Sequence, residues 1–245
     1  MSTIHFILQG KGGVGKTLIS SLLAQYFQEN SLPLQCLNTD SVNNSFQKFK
    51  SLNVQSVDIL KNQMVEPSEF DQVVEKIINT NDHFVIDNGA SSFVPIAEYL
   101  AENEIIGLLN AQGKTVYFHI PITGGPAQEE TLTGFNGLLT EFDDNANFII
   151  WENRHFGEVV HDGLPLKELP IYKKFQDRID AVISFGERKP QFTLDFEKMA
   201  KASLTFDEAI KSKDFFIMSK QRLTMMRRDL FVQIKSAFEP IGLGE

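Results

Sequence analysis

The chain has 245 residues, of which 42% are hydrophobic and 22% are charged, so it can form a full hydrophobic core and global disorder is excluded. Its 32 acidic and 23 basic residues give a net charge of −9. That charge argues against general binding to nucleic acid, because such affinity comes mainly from neutralised phosphates. A single cysteine, Cys36, excludes an intrachain disulfide and any zinc or iron–sulfur site built from several cysteines of one chain.

The apolar runs of the sequence are short. None approaches the roughly 20 residues that a membrane-spanning helix needs. The N-terminal apolar run ends at Gly10, which is too early for the core of a signal peptide. We therefore expect a cytoplasmic protein.

Short apolar runs alternate with longer segments of helical periodicity, which predicts an α/β fold with a mainly parallel sheet. In chain order, the predicted elements are a strand at 4–8, a helix at 18–27, a strand at 34–37, a helix at 70–78, a strand at 84–86, a helix at 96–101, strands at 105–109 and 116–122, a helix at 129–142, strands at 148–151 and 181–185, and a helix at 192–200. A long amphipathic helix is predicted at about 219–238. Without an internal repeat or a Pro/Gly/Ser-rich linker, we expect a single domain over residues 1–245.

A glycine-rich segment between the first predicted strand and the first predicted helix matches the phosphate-loop pattern G-x-x-x-x-G-K-[ST] in full. Glycines let successive backbone N–H groups converge on one anion, and the start of the helix adds partial positive charge. Lys16 is expected to reach the β- and γ-phosphates of a nucleotide, and the Thr17 hydroxyl to bind Mg²⁺. The predicted nucleotide-binding residues are Gly10, Lys11, Gly12, Gly13, Val14, Gly15, Lys16 and Thr17. The segment predicts a three-layer P-loop NTPase fold with a mainly parallel central sheet and a C-terminal helix.

The same glycines also satisfy G-x-G-x-x-G, the fingerprint of dinucleotide-binding folds. Asp40 lies near the end of the second predicted strand, where an acid that binds ribose would belong. A dinucleotide-binding loop does not require a lysine followed by a hydroxyl residue at these positions. Lys16 and Thr17 therefore favour the phosphate loop, and a dinucleotide-dependent oxidoreductase remains a remote alternative.

Two aspartates follow apolar strands. Asp87 ends the strand at 84–86, as expected for a Walker B carboxylate that holds Mg²⁺ through water. Asp40 follows the second strand, at the same edge of a parallel sheet as the loop. Either acid could instead cap a helix or close a turn. In combination with the loop, both favour a nucleoside triphosphatase.

A second lysine in the loop, Lys11, makes the segment 11–17 resemble the deviant Walker A loop of the ParA/MinD family of ATPases. The resemblance implies ATP and Mg²⁺ as ligands and a homodimer that forms on ATP binding. It also implies that Lys11 crosses the dimer interface to the partner's phosphates, where a cation supplied in trans stabilises charge on the γ-phosphate. The alternative for Lys11 is an ordinary solvated loop lysine.

The resemblance extends along most of the chain. Asp40 matches the second acid of the family's D-x-D segment, which positions or activates the attacking water, and residues 88–90 match the switch after the Walker B acid. The resemblance assigns adenine recognition to Asn153 and Arg154, with the segment 184–187 as a second loop near the base. It thereby implies Lys11, Lys16 and Asp40 as catalytic residues, and Thr17 and Asp87 as the metal site.

The chain departs from the family pattern near its acids. Asn38 replaces the first acid of D-x-D, Leu18 replaces a hydroxyl residue, and Ser41 and Val42 replace a proline and a glutamine. These changes predict slow or partner-stimulated ATP hydrolysis. They also leave open a nucleotide-gated adaptor with little or no hydrolysis.

Five further segments, at 8–16, 86–95, 123–125, 204–207 and 221–223, resemble the TraL group of ParA-like ATPases encoded in conjugative plasmid transfer regions. The stretch that begins at Asp87 is unlike the Asp-x-Pro segment of partition proteins. The resemblance implies an accessory role in conjugal transfer or plasmid maintenance, with a partner protein from that machinery.

The predicted C-terminal helix has an apolar stripe and five basic side chains against one acid, Asp229. Contact with a membrane surface or with DNA through the basic face is conceivable. We favour the simpler arrangement, in which the stripe packs on the sheet and the basic face lies in water.

Overall fold

A computed structural model describes residues 2–40, 43–62, 64–142, 146–186 and 189–238. The strands are β1 (Ser2–Ile7), β2 (Leu34–Asn38), β3 (Gln55–Ser56), β4 (Leu60–Lys61), β5 (Met64–Val65), β6 (His83–Asp87), β7 (Lys114–Thr123), β8 (Asn147–Asn153), β9 (Val160–His161), β10 (Leu164–Pro165) and β11 (Ile179–Phe185). The α-helices are α1 (Lys16–Glu29), α2 (Pro67–Asn79), α3 (Phe93–Glu102), α4 (Ile105–Ala111), α5 (Gln128–Glu141), α6 (Pro170–Phe175), α7 (Pro190–Lys201), α8 (Phe206–Lys211) and α9 (Ile217–Phe238). Ser41, Val42 and Glu187, all considered above, lie outside the described residues.

Within the described part of the chain, a seven-stranded sheet has the order β11-β8-β7-β1-β6-β2-β3, and all of its strand pairs are parallel. Two short antiparallel pairs, β4–β5 and β9–β10, lie outside it. The strand β6 separates β1 from β2. In a dinucleotide-binding fold these first two strands are direct neighbours, so the alternative of a Rossmann oxidoreductase is wrong.

Helices cover both faces of the sheet, which confirms the predicted three-layer α/β architecture. The first core contains apolar side chains of α2 to α6, and the second contains those of α1, α7, α8 and α9. The alternation of β1 divides its residues between the two cores, with Ile4 and Phe6 in the first and Ile7 in the second. All these β1 side chains are buried, as expected for a parallel strand between two helical layers.

The C-terminal helix α9 packs along the second core. Its apolar stripe of Leu223, Met226, Leu230, Ile234 and Phe238 is buried. Three of its arginines pair with acids of the same chain, Arg222 with Asp195, Arg227 with Glu29 and Arg228 with Asp229. The stripe therefore belongs to the core, and these pairs reduce the basic character of the remaining surface. None of the helices in the described ranges combines the length and hydropathy that a crossing of the bilayer requires.

One predicted element is wrong. Residues 105–109 were expected to form a strand, but they lie in the helix α4. Ile105, Ile106 and Leu109 are buried, whereas Leu108 is 45% exposed, which is the spacing of a helix face. A short apolar run does not reveal its own period, and here the preceding α3 and a left-handed Glu104 start a second helix. The other predicted strands and helices are confirmed, within a few residues at their ends.

A hydrogen-bonded series of buried side chains crosses the centre of the sheet, and we call it the histidine chain: Trp151, His119, His5, Thr3 and His83. The indole Nε1 of Trp151 donates to His119 Nδ1 at 2.8 Å, and His119 Nε2 lies 2.8 Å from His5 Nδ1. His5 Nε2 lies 2.7 Å from Thr3 Oγ1, which is 2.6 Å from His83 Nδ1.

The direction of the histidine chain follows from its two ends. An indole N–H can only donate, so His119 Nδ1 accepts and its Nε2 donates to His5. At the other end His83 Nδ1 accepts a hydrogen bond from the backbone N–H of Thr3, so it carries no proton and also accepts a hydrogen bond from the Thr3 hydroxyl. In this direction every hydrogen bond of the series has one donor and one acceptor when all three imidazoles are neutral.

Candidate functional site

The glycine-rich loop connects β1 to α1 at the carboxyl edge of the sheet. Gly15 caps α1 in the left-handed region, with φ 99° and ψ 15°, and Gly13 has φ 76°. Side chains with a Cβ are strained in that region, so these positions need glycine. The first turn of α1 contains no acidic residue, which leaves the partial positive charge of its N–H groups available to an anion.

Lys16 lies at the start of α1 and folds back over the loop. Its Nζ donates to the carbonyls of Gln9 and Lys11, each at 2.9 Å. Burial lowers the pKa of Lys16 from its usual 10.5, while the nearby carboxylates of Asp87 and Asp40 act in the opposite direction. The ammonium is thus held inside the loop, close to two acids.

Gln9 fixes the beginning of the loop and was not singled out from the sequence. It is 1% exposed, and its amide donates to the carbonyls of Pro121 at 3.1 Å and Thr131 at 3.0 Å. Its side-chain oxygen accepts from the N–H of Gly10 at 2.9 Å. These bonds connect the loop to β7 and α5. The backbone carbonyl of Gln9, which accepts from Lys16, therefore has a fixed position.

The predicted metal ligands meet at the end of β6. The Thr17 hydroxyl donates to Asp87 Oδ2 at 2.7 Å, and the hydroxyl of Ser20, one turn further along α1, donates to Asp87 Oδ1 at 2.9 Å. The order of the sheet explains this contact, because β6 is the direct neighbour of β1, from which the loop emerges. Ser20 was missed in the sequence, although its spacing of three residues from Thr17 places both on one helix face.

The carboxyl of Asp87 is 2% exposed. Burial raises its pKa from 3.8 to about 6, against the opposing effects of the Thr17 and Ser20 hydrogen bonds and of Lys16. A buried carboxylate with two hydroxyl neighbours is a hard oxygen donor, which Mg²⁺ prefers. The site therefore suits a cation next to the loop.

Asp40 lies in the loop after β2. Its carboxylate accepts from the N–H of Asn43 at 3.0 Å, and its backbone is bonded in both directions to the side chain of Asn38, at 3.3 Å each way. The amide of Asn38 thus shapes the loop that carries Asp40. An ionised aspartate at position 38 would have no N–H group and could not donate a hydrogen bond to the carbonyl of Asp40, as Asn38 Nδ2 does.

Because Gly89 has no side chain, the carboxylate of Asp40 can lie directly against its backbone. A Cβ at position 89 would lie 2.8 Å from the Cγ of Asp40, which is closer than real Cβ contacts. The contact joins the loop after β2 to the loop after β6, and the sequence contained no signal for it.

The variant Gly89→Ala is expected to be less stable by about 1–2 kcal/mol, because the new methyl group displaces the Asp40 carboxylate and its bond to Asn43. Urea unfolding measures this cost. In an Asp40→Ala background, which removes the clashing Cγ, the same substitution should cost less than about 0.5 kcal/mol. Equal costs in the two backgrounds would contradict the contact.

Lys11 extends from the loop to α5. Its Nζ contacts Glu130 Oε1 at 2.8 Å, and the two side chains are 40% and 53% exposed. Such a partly solvated ion pair is weak, on the order of 1 kcal/mol or less. Glu130 was not predicted from the sequence, since 119 residues separate it from Lys11.

Two adjoining cavities lie against the loop. One, of about 380 Å³, is lined by residues of the loop, of the start of α1 and of the segments after β2 and β6: Gly12, Gly13, Gly15, Lys16, Thr17, Leu18, Asp40, Asn43, Ser45, Asn88 and Ala90. The other, of about 240 Å³, shares Gly13, Gly15 and Leu18 with it and continues towards Phe185, Phe156 and α7. Together they form a polar and a largely apolar compartment on the two sides of the loop.

The predicted base-binding residues have different positions. Asn153 lines the second cavity, where its Nδ2 donates to the carbonyl of Val14 at 3.1 Å and its Oδ1 accepts from the N–H of His155 at 3.0 Å. Arg154 faces Glu152 at 2.9 Å and lines a separate cavity of about 100 Å³. Phe185 and Gly186, from the predicted segment 184–187, do line the second cavity. Adenine recognition by Asn153 and Arg154 stays a prediction.

Two proteins of Escherichia coli, each described as protein TraL, are similar to the chain along nearly its whole length. They are 38% and 37% identical to it over 238 residues, and each alignment covers 97% of this chain and 99% of the relative. No model of a protein family matches the chain.

Solved structures of MinD proteins have a similar fold. The septum site-determining protein MinD complexed with Mg-ADP from Pyrococcus horikoshii has a TM-score of 0.53 at 14% identity, and the alignment covers 100% of this chain and 99% of that one. The MinC:MinD cell division protein complex of Aquifex aeolicus gives a TM-score of 0.51 at 12% identity, covering 95% and 96%. At these identities the likeness establishes the fold.

Proposed function

The chain belongs to the TraL family and has the P-loop fold seen in MinD proteins, and from that premise we propose that it binds ATP with Mg²⁺ and forms an ATP-dependent homodimer. The observation that carries the proposal is the hydrogen bond between Thr17 and Asp87 at 2.7 Å, directly beside the loop that holds Lys16. It joins a candidate phosphate site and a candidate cation site. We further propose that the protein acts in the cytoplasm, as an accessory factor in plasmid conjugal transfer or maintenance.

The residues around the loop fit a nucleoside triphosphate with a divalent cation. The polar cavity would take the phosphates, with Lys16 and the N–H groups of the loop as their partners. Thr17 and Asp87 would hold Mg²⁺, which supplies neutralising charge for the phosphates when it is bound. The apolar cavity next to Phe185 and Asn153 is the compartment for the base. That MinD from Pyrococcus horikoshii is described with Mg-ADP supports the choice of ligand.

Lys11 and Glu130 suggest how the ligand and the dimer are linked. In the single chain, the ammonium of Lys11 is held by Glu130 on its own α5. The ParA/MinD resemblance assigns Lys11 to the phosphates of a partner chain. We propose that Lys11 exchanges the carboxylate of Glu130 for those phosphates, which is possible because both side chains are partly solvated.

The proposed function includes slow hydrolysis of the bound ATP. Asp40 lines the polar cavity and would place the attacking water, with Lys16 in cis and Lys11 in trans stabilising negative charge. Asn38 is engaged with the backbone of Asp40, so the site has one acid fewer than the family pattern. Slow or partner-stimulated turnover is expected, and a nucleotide-gated adaptor is the second candidate. The description of an Aquifex MinD in complex with MinC supports a partner protein for this chain too.

Light scattering after size exclusion tests the dimer. The variant Asp40→Ala, chosen to slow turnover, should be dimeric with ATP and Mg²⁺ and monomeric with ADP and Mg²⁺. Adding Lys11→Ala should return the ATP sample to a monomer. A monomer with both nucleotides would contradict the dimer. If wild-type chain with ATP also releases no phosphate above the Asp40→Ala background, the adaptor is the better conclusion.

A matched variant, Glu130→Gln, removes the competing carboxylate while it keeps the size of the side chain. We expect it to dimerise with ATP about two- to tenfold more tightly, since two weak ion pairs no longer have to be broken per dimer. The neighbouring Glu129→Gln, which leaves the Lys11 pair intact, is the control. Weaker dimerisation of Glu130→Gln than of the control would mean that Glu130 supports the dimer interface instead.

A further inference from the structure

Three consecutive apolar residues protrude at the start of α9, and we call them the apolar tip: Phe216, Ile217 and Met218. Their side chains are 85%, 81% and 59% exposed, and Phe216 and Ile217 are the most exposed of the large apolar residues described. Isolated exposed apolar residues are common on proteins, but three in succession are a marker of an interaction site.

The apolar tip is presented by an ordered backbone. Phe215, the residue directly before it, is 5% exposed and packs in the second core, with the Lys198 ammonium 4.5 Å from its ring centre. On the other side, Arg222 binds Asp195 of α7 at 2.5 Å and so holds the first turns of α9. The buried Phe215 and the ion pair fix the segment at both ends, and the three side chains between them point into solvent.

The surroundings of the apolar tip are basic, whereas the protein as a whole has a net charge of −9. Lys213 precedes the tip and Lys220 follows it, and among the described residues neither has an acidic side chain within ion-pair distance. Lys198 lies beside the same turn and donates to the carbonyl of Asp214. Of the four basic residues from 211 to 222, Lys211 and Arg222 are paired with Asp207 and Asp195, so Lys213 and Lys220 supply the free positive charge beside the tip, next to one acid, Asp214.

We propose that the apolar tip inserts into the surface of an anionic lipid bilayer, with Lys213 and Lys220 at the level of the phosphates. Protruding side chains of this exposure fit a soft, deformable partner, and apolar residues with lysines on both sides match the acyl region and the anionic headgroups. The acidic remainder of the protein would be repelled by that surface, so only this end would approach it.

This surface differs from the amphipathic stripe considered in the sequence. The stripe of α9 is buried in the core, so the helix cannot lie flat on a bilayer without unpacking. The apolar tip needs no such change, because its side chains are already in solvent. Contact is therefore expected end-on, through the first turn of α9 alone, and it does not depend on the proposed nucleotide-dependent dimer.

Tryptophan fluorescence of the full chain tests the proposal without nucleotide. The natural Trp151 is 0% exposed and provides a constant background. In the variant Phe216→Trp, a new indole at the tip should shift its emission to shorter wavelength with vesicles of equimolar phosphatidylglycerol and phosphatidylcholine, but not with phosphatidylcholine alone. The matched control is Val232→Trp, at another exposed position of α9, 59% exposed in the parent chain, and its emission should not change.

Sedimentation of the same vesicles measures the affinity. The double variant Phe216→Ser/Ile217→Ser should lose about tenfold or more in partitioning, and Lys213→Glu/Lys220→Glu a similar factor that grows smaller at high salt. Unchanged Trp151 emission shows that these surface variants are folded. No shift for Phe216→Trp, or full binding by the serine variant, would overturn the proposal. A shift without vesicles that rises with protein concentration would also overturn it, in favour of a second copy of the chain as the partner.

Discussion

Replacement of Lys16 by alanine is expected to lower the affinity of the chain for ATP with Mg²⁺ by about a hundredfold or more, because charge-assisted hydrogen bonds to phosphate are worth roughly 1.5–3 kcal/mol each. The Nζ of Lys16 already lies inside the loop, between the carbonyls of Gln9 and Lys11. The ammonium is therefore positioned before the ligand arrives, so little ordering of the side chain opposes binding. Titration of a fluorescent ATP analogue, displaced by ATP, measures the affinity.

The other lysine of the loop is the matched control. Lys11 is paired with Glu130 outside the loop, so Lys11→Ala should keep the affinity of the single chain for ATP within about threefold, as a weak surface pair predicts. The two variants together separate binding in cis from the proposed contact in trans. Wild-type affinity in Lys16→Ala would contradict the phosphate loop, and equal losses in both variants would contradict the division of roles.

Much of the site was predictable because it is local in sequence. The loop from Gly10 to Thr17 has its glycines, lysine and hydroxyl within eight positions, between an apolar run and a helical pattern. Asp87 follows directly from an apolar strand that ends in a carboxylate. In a parallel sheet these segments end at the same edge, so the motif predicts the compartment even without the order of the strands.

The contacts that complete the site depend on that order. Gln9 binds the backbone of α5 across 122 residues, and Lys11 binds Glu130 across 119. Both contacts exist because β7 is the other neighbour of β1 and leads into α5. The room that Gly89 leaves for Asp40 depends in the same way on the pairing of β2 with β6. A single sequence without the topology contains no signal for such pairs.

The helix α4 illustrates a second limit of prediction from sequence, the type of a short apolar element. Residues 105–109 are apolar at almost every position, and a strand between two helical layers has the same composition. What decided the outcome was the chain before it, where α3 ends at Glu102 and the backbone turns through a left-handed Glu104 into a second helix. The next strand of the sheet is then β7, whose ten residues pair with β1 over 114–119 and with β8 over 117–123.

Acidification from pH 7 to pH 5 is expected to lower the free energy of unfolding by about 4 kcal/mol, through the histidine chain. Burial lowers the pKa of His119 to about 3 and that of His83 to about 4, and it lowers that of His5 well below 6.5. The unfolded chain therefore binds more protons than the folded chain below pH 6.5, and each histidine weakens the fold as the pH falls. Asp87, whose pKa is raised to about 6, acts in the opposite direction between pH 6 and its unfolded value of 3.8, which the figure includes.

Urea unfolding followed by Trp151 emission, at several pH values between 7 and 5, measures this loss.

The end of the histidine chain supplies a matched variant, His83→Asn, whose Oδ1 can replace Nδ1 as the acceptor for Thr3 but cannot take up a proton. It should reduce the loss of stability between pH 7 and pH 5 by one histidine's contribution, about 2 of the roughly 4 kcal/mol. A stability that is constant between pH 7 and pH 5, or a slope equal in His83→Asn and wild type, would contradict a chain of neutral histidines. The direction of the hydrogen bonds requires that neutrality, because a second proton on His119 would face the indole N–H of Trp151 without an acceptor.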